Sequence, residues 1–185
     1  MNRKVVWLAV LLAVVAAAAE GSTFLALSQE ELTAGAAAVL QGRVLEVESF
    51  WNAERTAILS EALVSVDEVL VGRAPSVVRV RTFGGTVAGY TIEAHGFPRF
   101  APGEETLLFL YREPGDGSVR VYGYQQGQYR IETRGGERVA VPMIGERVRL
   151  LAPNGAVMRP AGPLPLAELR EQVRELGRRL GRLEN

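Results

Sequence analysis

The sequence predicts a mainly β fold: a five- or six-stranded antiparallel barrel with a short N-terminal helix and an amphipathic C-terminal helix. Three observations carry this prediction. From Ala38 to Val141 apolar residues recur with period two, in runs separated by Gly- and Pro-containing breaks. Residues 106–111, TLLFLY, are continuously apolar, as a strand covered on both faces requires. Beyond residue 165 the spacing switches to three and four, the repeat of a helix with one apolar stripe.

The elements follow in order. Ser28-Gln29-Glu30-Glu31 is a capping box, in which Ser28 accepts from the Glu31 amide and Glu31 reaches back, with Leu27 and Leu32 at the staple positions. A short helix over 29–36 is expected to close one end of the barrel. AVLQGRVLEVES (38–49) reads as the first strand, with Gly42 as a bulge or bend. Trp51 and Asn52 turn the chain. TAILSEALVSVDEVLVG (56–72) places Ile58, Ala62, Val64, Val66 and Leu70 on one face of a long, bent strand, which Gly72-Arg73-Ala74-Pro75 ends. Val78 and Val80 belong to the next strand, with Arg79 and Arg81 on its other face.

Residues 84–103 are the least regular part of the chain, with a short strand at 89–94 and an ordered loop marked by Pro98, Pro102 and Gly103. After TLLFLY and a turn at 113–117 come VRVYGY (119–124) and QYRIET (128–133). Gly135-Gly136 suits a tight hairpin into ERVAV (137–141). Residues 152–165 carry four Pro and two Gly and read as a linker. In the amphipathic helix of 166–185, Leu166, Leu169, Val173, Leu176, Leu180 and Leu183 form the stripe. Glu171–Arg174, Glu175–Arg178 and Glu175–Arg179 are expected to support it by a few tenths of a kcal/mol each. Gly177 and Gly181 each weaken it by up to about 1 kcal/mol. The stripe either packs on the barrel or pairs with a partner, and Leu169, Val173, Leu176 and Leu180 are the candidate interaction residues.

Residues 1–19 read as a secretory signal peptide: Arg3 and Lys4, an apolar run over 5–15, then small residues with Ala17 and Ala19 before a cut ahead of Glu20. An uncleaved anchor is the competing reading, but the apolar run is short for a span of about 20 residues. Cleavage leaves 19 Arg against 21 acids, a net charge of −2, with no lysine, since Lys4 is the only one in the chain. Residues 20–151 then form one barrel domain. Its size supports a core without disulfides, and the 185-residue chain has no cysteine. The missing cysteine also excludes thiolate zinc sites and cysteine nucleophiles. The single His disfavours a His-rich metal centre, and no D-x-D-x-D-G, H-E-x-x-H, C-x-x-C, G-x-G-x-x-G or P-loop occurs. No cofactor and no metal are expected.

The segments GRVLEVES, VSVDEVLVG, VVRVRTFGG, HGFPRFAPGEETLLFL and VYGYQQGQYRI, spread over residues 37–131, resemble a group of small exported bacterial proteins. More distantly they resemble the netrin-like modules of tissue inhibitors of metalloproteinases. The resemblance implies an OB-like Greek-key barrel without catalytic activity. The inhibitory chemistry of netrin-like modules rests on an N-terminal cysteine that clamps the target's zinc, and with no cysteine here that chemistry transfers to no residue.

Three functional readings follow. The first is an exported, non-enzymatic binding module acting by protein–protein contact. Irregular loops on a rigid frame are where binding concentrates, so residues 84–103 supply Tyr90, His95, Phe97 and Arg99, joined by Tyr122 and Tyr124. The second is a hydrolase centred on His95, with Ser60, Ser65, Asp67 and Glu93 as candidate partners, although no G-x-S-x-G elbow occurs. A third reading makes the chain an envelope scaffold that forms a homo-oligomer through the helix stripe. Arg79, Arg81, Arg120 and Arg130 lie near Tyr122, Tyr124 and Tyr129, as on a single-strand nucleic-acid platform. Export and the near-neutral charge argue against nucleic acid, and no membrane insertion is expected after cleavage.

Overall fold

The computed structural model describes residues 21–182. The expected signal peptide and Leu183 of the stripe lie outside these residues. The strands are β1 (Ser22–Leu25), β2 (Ala38–Trp51), β3 (Ile58–Gly72), β4 (Val77–Phe83), β5 (Gly85–Val87), β6 (Tyr90–Ile92), β7 (Glu105–Arg112), β8 (Val119–Val121), β9 (Gln128–Arg134), β10 (Glu137–Pro142), β11 (Val148–Leu151), β12 (Val157–Met158) and β13 (Leu164–Pro165). Helix α1 spans Gln29–Gly35 and α2 spans Leu166–Arg179, with a 3-10 turn at Tyr124–Gly127.

The fold is mainly β and, in its principal sheet, antiparallel, as expected. That sheet has eight strands in the order β13-β10-β9-β7-β2-β3-β4, with β8 also paired to β7. The expected closed barrel of five or six strands is not formed, because among the described residues no ladder joins β4 to β8. One edge of β7 is divided, with Glu105–Leu108 pairing to β9 and Leu110–Arg112 to the three-residue β8. The seam between β8 and the neighbouring β4 is closed by side chains instead. Arg81 and Arg120 both reach the Asp116 carboxylate, at 3.2 and 2.9 Å, and Arg120 lies 5.8 Å from the centre of the Phe83 ring.

TLLFLY is buried on both faces because the sheet carries two cores. Leu107 and Phe109 face one with Val39, Leu70 and Val71, whereas Leu108 and Leu110 face the other with Leu40, Val44, Val64 and Val80. At Gly42 the β2–β3 register shifts, and an added Cβ would stand 2.2 Å from the Ser65 carbonyl oxygen. Only glycine allows that approach, so the expected bulge is present for a steric reason.

Helix α1 starts as its sequence specifies. Ser28 Oγ accepts from the Glu31 amide (3.1 Å), and Glu31 accepts from the Ser28 amide (2.7 Å). The Ser28 amide, and its hydroxyl at 2.8 Å, donate to the Glu31 carboxylate and hold it below its ordinary range. Its other end is capped from far away. The Arg182 guanidinium donates to the carbonyls of Thr33 (2.8 Å), Ala34 (3.1 Å) and Ala37 (3.0 Å), and also to that of Ala36. Helix α1 therefore lies on the face of the sheet beside α2 rather than plugging a barrel end.

The α2 stripe is spent on the chain's own core. Leu166, Leu169 and Val173 are buried with Leu32, Val39 and Phe109, while Leu176 is half-buried and Leu180 is exposed. Glu68 of β3 accepts from both Arg170 and Arg174, so the expected Glu171–Arg174 pair gives way to a contact with the sheet. Arg178 bonds Glu175 and Glu171, and Arg179 turns to Glu30 of α1 rather than to Glu175. Two strands lie within the stretch read as a linker: β12 pairs with β11, and β13 pairs with β10 through Ala140–Leu164 and Val139–Pro165. A small sheet, β1-β11-β12, was absent from the sequence reading. Its β1–β11 pairing is parallel, between segments more than a hundred residues apart.

Truncating Leu169 to alanine should lower the unfolding free energy by about 2–5 kcal/mol, the usual cost of a buried leucine cavity. Leu180→Ala should cost less than about 0.5 kcal/mol, as for surface positions generally. Urea unfolding of both variants followed by far-UV circular dichroism checks the pair, and equal losses would contradict this packing.

Candidate functional site

Within the irregular segment 84–103, residues 85–92 form the β5–β6 ladder, and the rest, from Glu93 onward, is fixed mainly by side chains. After β8 the chain turns through Gly123 (φ 71°) and Tyr124 (φ 58°), two consecutive left-handed residues, into the 3-10 turn. That turn and the first residue of β9 present three buried glutamine amides. Gln125 Nε2 donates to the Phe97 carbonyl (2.9 Å), and its Oε1 accepts from the Gly145 amide (2.9 Å). Gln126 donates to the Leu25 carbonyl (3.0 Å) and accepts from the Leu27 amide (2.8 Å). Gln128 donates to the Arg99 carbonyl (2.6 Å) and accepts from the Arg99 amide (3.3 Å). Gln128 thus acts as a one-residue strand partner for Arg99, while Gln125 and Gln126 each bridge two backbone groups, satisfying groups that would otherwise be costly to bury. Thr82 adds a bond to the Pro98 carbonyl (2.8 Å), and Ser22 adds one to the His95 carbonyl (2.9 Å).

Three features border this loop. The first is a ridge of aromatic rings: Phe24–Tyr124 at 4.9 Å, Tyr124–Phe97 at 5.1 Å and Phe97–Phe83 at 5.0 Å between ring centres, ending under Arg120. Tyr124 is 44% exposed. A cavity of about 120 Å³ beside it is lined by Arg81, Tyr111, Glu113 and Arg120 as well as the rings. Burial and the Glu113 carboxylate, which accepts from the Tyr111 hydroxyl at 2.8 Å, push the Tyr111 phenol up to about 12. Bonds from Ser118, and then Arg120, hold Asp116 well below the ordinary carboxylate range.

The second feature is a pocket of about 330 Å³ walled by Glu93, His95, Arg99, Gln125, Gln128 and Arg147 among others. The Arg147 guanidinium, which can only donate, stands 3.2 Å from His95 Nε2. Glu93 lies 4.0 Å from the same nitrogen and 3.8 Å from the Arg99 guanidinium. The third is a groove of about 370 Å³ between the distal β2–β3 hairpin and β5–β6, lined by Ser49, Ser60, Thr82, Thr86, Thr91 and Arg99 among others.

The residues singled out in the sequence fall into separate places. Phe97 and Tyr124 meet in the ridge, and His95 and Arg99 share the second pocket through Glu93. Tyr90 stands at the β5–β6 tip, edge-on to Trp51 at 6.1 Å. Tyr122 faces the other way from Tyr124, packing edge-on to Tyr111 (5.8 Å) and against the first core, so it supports the frame rather than the exposed ridge. Of the proposed hydrolytic partners, only Glu93 approaches the imidazole. Ser60 gives its proton to the Gly84 carbonyl (2.7 Å) and bonds Ser49 (2.8 Å). Sequence reasoning missed Phe24, Phe83, Arg147 and the three glutamines. The clue to the last was present in QQGQ, uncharged amides clustered between two apolar strands. Among the described residues no group of three His, Asp or Glu side chains is placed to hold a metal ion, and no helix is long and apolar enough to cross a membrane. The chain matches no protein-family model and no curated protein.

Gln128→Leu removes both partners of Arg99 while keeping the volume. It should lower stability by about 1–3 kcal/mol, the cost of unpaired buried polar groups. It should also raise the amide exchange rate around Arg99. Exchange measured by mass spectrometry, unchanged at 95–101, would show that the amide clamp does not hold the loop.

Proposed function

We propose that this chain is an exported, non-enzymatic binding module that acts by protein–protein contact through the aromatic ridge and the loop of residues 84–103. The carrying observation is Tyr124. A bulky, non-glycine residue in left-handed backbone is held there by its neighbours at a cost of about 1 kcal/mol or more. What the strain achieves is an exposed phenol continuous with Phe24, Phe97 and Phe83 and flanked by Arg120. Aromatic and arginine side chains on a rigid frame are the groups that dominate protein interfaces. Export rests on the sequence of residues 1–19.

The netrin-like, OB-like relation belongs to the same proposal. It is supported by the way β2, β3, β4, β7 and β8 surround the second core of Leu40, Val44, Ala62, Val64, Val78, Val80, Leu108, Leu110 and Val121.

A photo-crosslinking residue placed at Tyr124 in exporting cells should capture a partner protein, whereas the same residue at Glu137, on the exposed β9–β10 hairpin, should not. With that partner purified, Tyr124→Gly should weaken binding at least tenfold, about 1.4 kcal/mol. The same change should alter stability by less than about 1 kcal/mol, because glycine relieves the backbone strain as the ring contacts are lost. Equal capture at both positions, or unchanged affinity, would sink the proposal.

A further inference from the structure

The small sheet β1-β11-β12 has an outer face that the loop site does not use. Register places Leu25, Leu151 and Val157 in one row across its three strands, and Phe24, Leu150 and Met158 in the next. Side chains of successive strand residues alternate between faces, so these rows look in opposite directions. The inner row packs on the protein, with Leu150 buried and Phe24 against Tyr124. The outer row does not. Leu25 is 65% exposed and Val157 69%, with Leu151 half-buried between them. Arg149 shares the outer face with Leu151, and Arg159 follows β12 directly.

We infer that this face seats on the surface of a bilayer containing anionic phospholipid, with Leu25, Leu151 and Val157 dipping below the headgroups and Arg149 and Arg159 on lipid phosphates. Three arguments choose this occupant. An apolar row flanked by arginines, with no acid in it, matches the layering of an interface, apolar inward and cationic at phosphate depth. Guanidinium is also the side-chain group best fitted to phosphate. The chain enters this sheet at Gly21, and residues 16–20 join it to the apolar run of 5–15. Those residues span at most about 18 Å when extended, so for as long as the run of 5–15 stays joined to the chain, before the expected cut ahead of Glu20, this sheet lies within reach of a bilayer that holds it.

The chain has no cysteine, so one introduced cysteine labels one site. The full chain carrying Val157→Cys with an environment-sensitive fluorophore is incorporated into phosphatidylglycerol–phosphatidylethanolamine vesicles containing brominated lipid. Glu137→Cys serves as the control position. Quenching at 157 should exceed that at 137 at least threefold. It should fall to the control level in phosphatidylcholine vesicles, and again in the Arg149→Glu/Arg159→Glu double variant. Leu25→Cys supplies a second label position should Val157→Cys not fold. Quenching no greater than at 137, or quenching indifferent to the double variant, overturns the inference. Energy transfer between labelled copies at 157 without lipid also overturns it, by assigning the face to a second copy.

Discussion

Three glutamine side chains hold together parts of this protein that no ladder joins. Gln125, Gln126 and Gln128 lie within four positions, yet they reach the 93–100 loop, the segment leading out of β1 and the turn before β11. Each contributes one donor and one acceptor, the same pair that a strand residue offers its neighbour. The loop, the small sheet and the first helix are therefore positioned from one short turn. The ridge and both of the loop's polar recesses depend on it. Charged side chains could not substitute at these positions, because buried charge needs a compensating partner, whereas an amide is satisfied by the backbone alone.

Much of the frame was legible in the sequence, for reasons that can be stated. The capping box names its own partners at a spacing of three, and a local rule suffices to find it. TLLFLY is apolar at five successive positions, Leu107 to Tyr111, because β7 sits between two cores, a fact written into one strand. The α2 stripe was equally visible, but its destination was not. A 3-4 repeat specifies a face and leaves its cover open; here Glu68, on a strand a hundred residues earlier, draws in Arg170 and Arg174 and decides it. Barrel closure was misjudged for a related reason. Strand periodicity says nothing of how an edge is shared, and β7 divides its edge between β8 and β9.

The candidate site was legible in outline and not in composition. Irregularity at 84–103 pointed to the right segment. It could not show that Tyr122 and Tyr124, two residues apart, part company because the chain passes through left-handed backbone between Gly123 and Gln125. Ordinary strand alternation would have put them on one face. Nor could it supply Phe24 and Arg147, which come from β1 and the turn before β11, elements whose parallel pairing is set by contacts more than a hundred residues apart in sequence.

The cap on α1 has a consequence for how the chain reaches its folded state. Arg182, near the C-terminal end of the described residues, donates to four carbonyls at the end of a helix that begins at Gln29. In a polypeptide made from its amino end, this partner follows the helix it caps by about 150 residues. Until then the short first helix lacks its terminal bonds, and the first core lacks Leu166, Leu169 and Val173. Contacts of such long sequence separation form late, since loop closure precedes their reward. The segment Leu166–Arg182 thus completes both the first core and the cap of the first helix, and acts as the latch of the described fold.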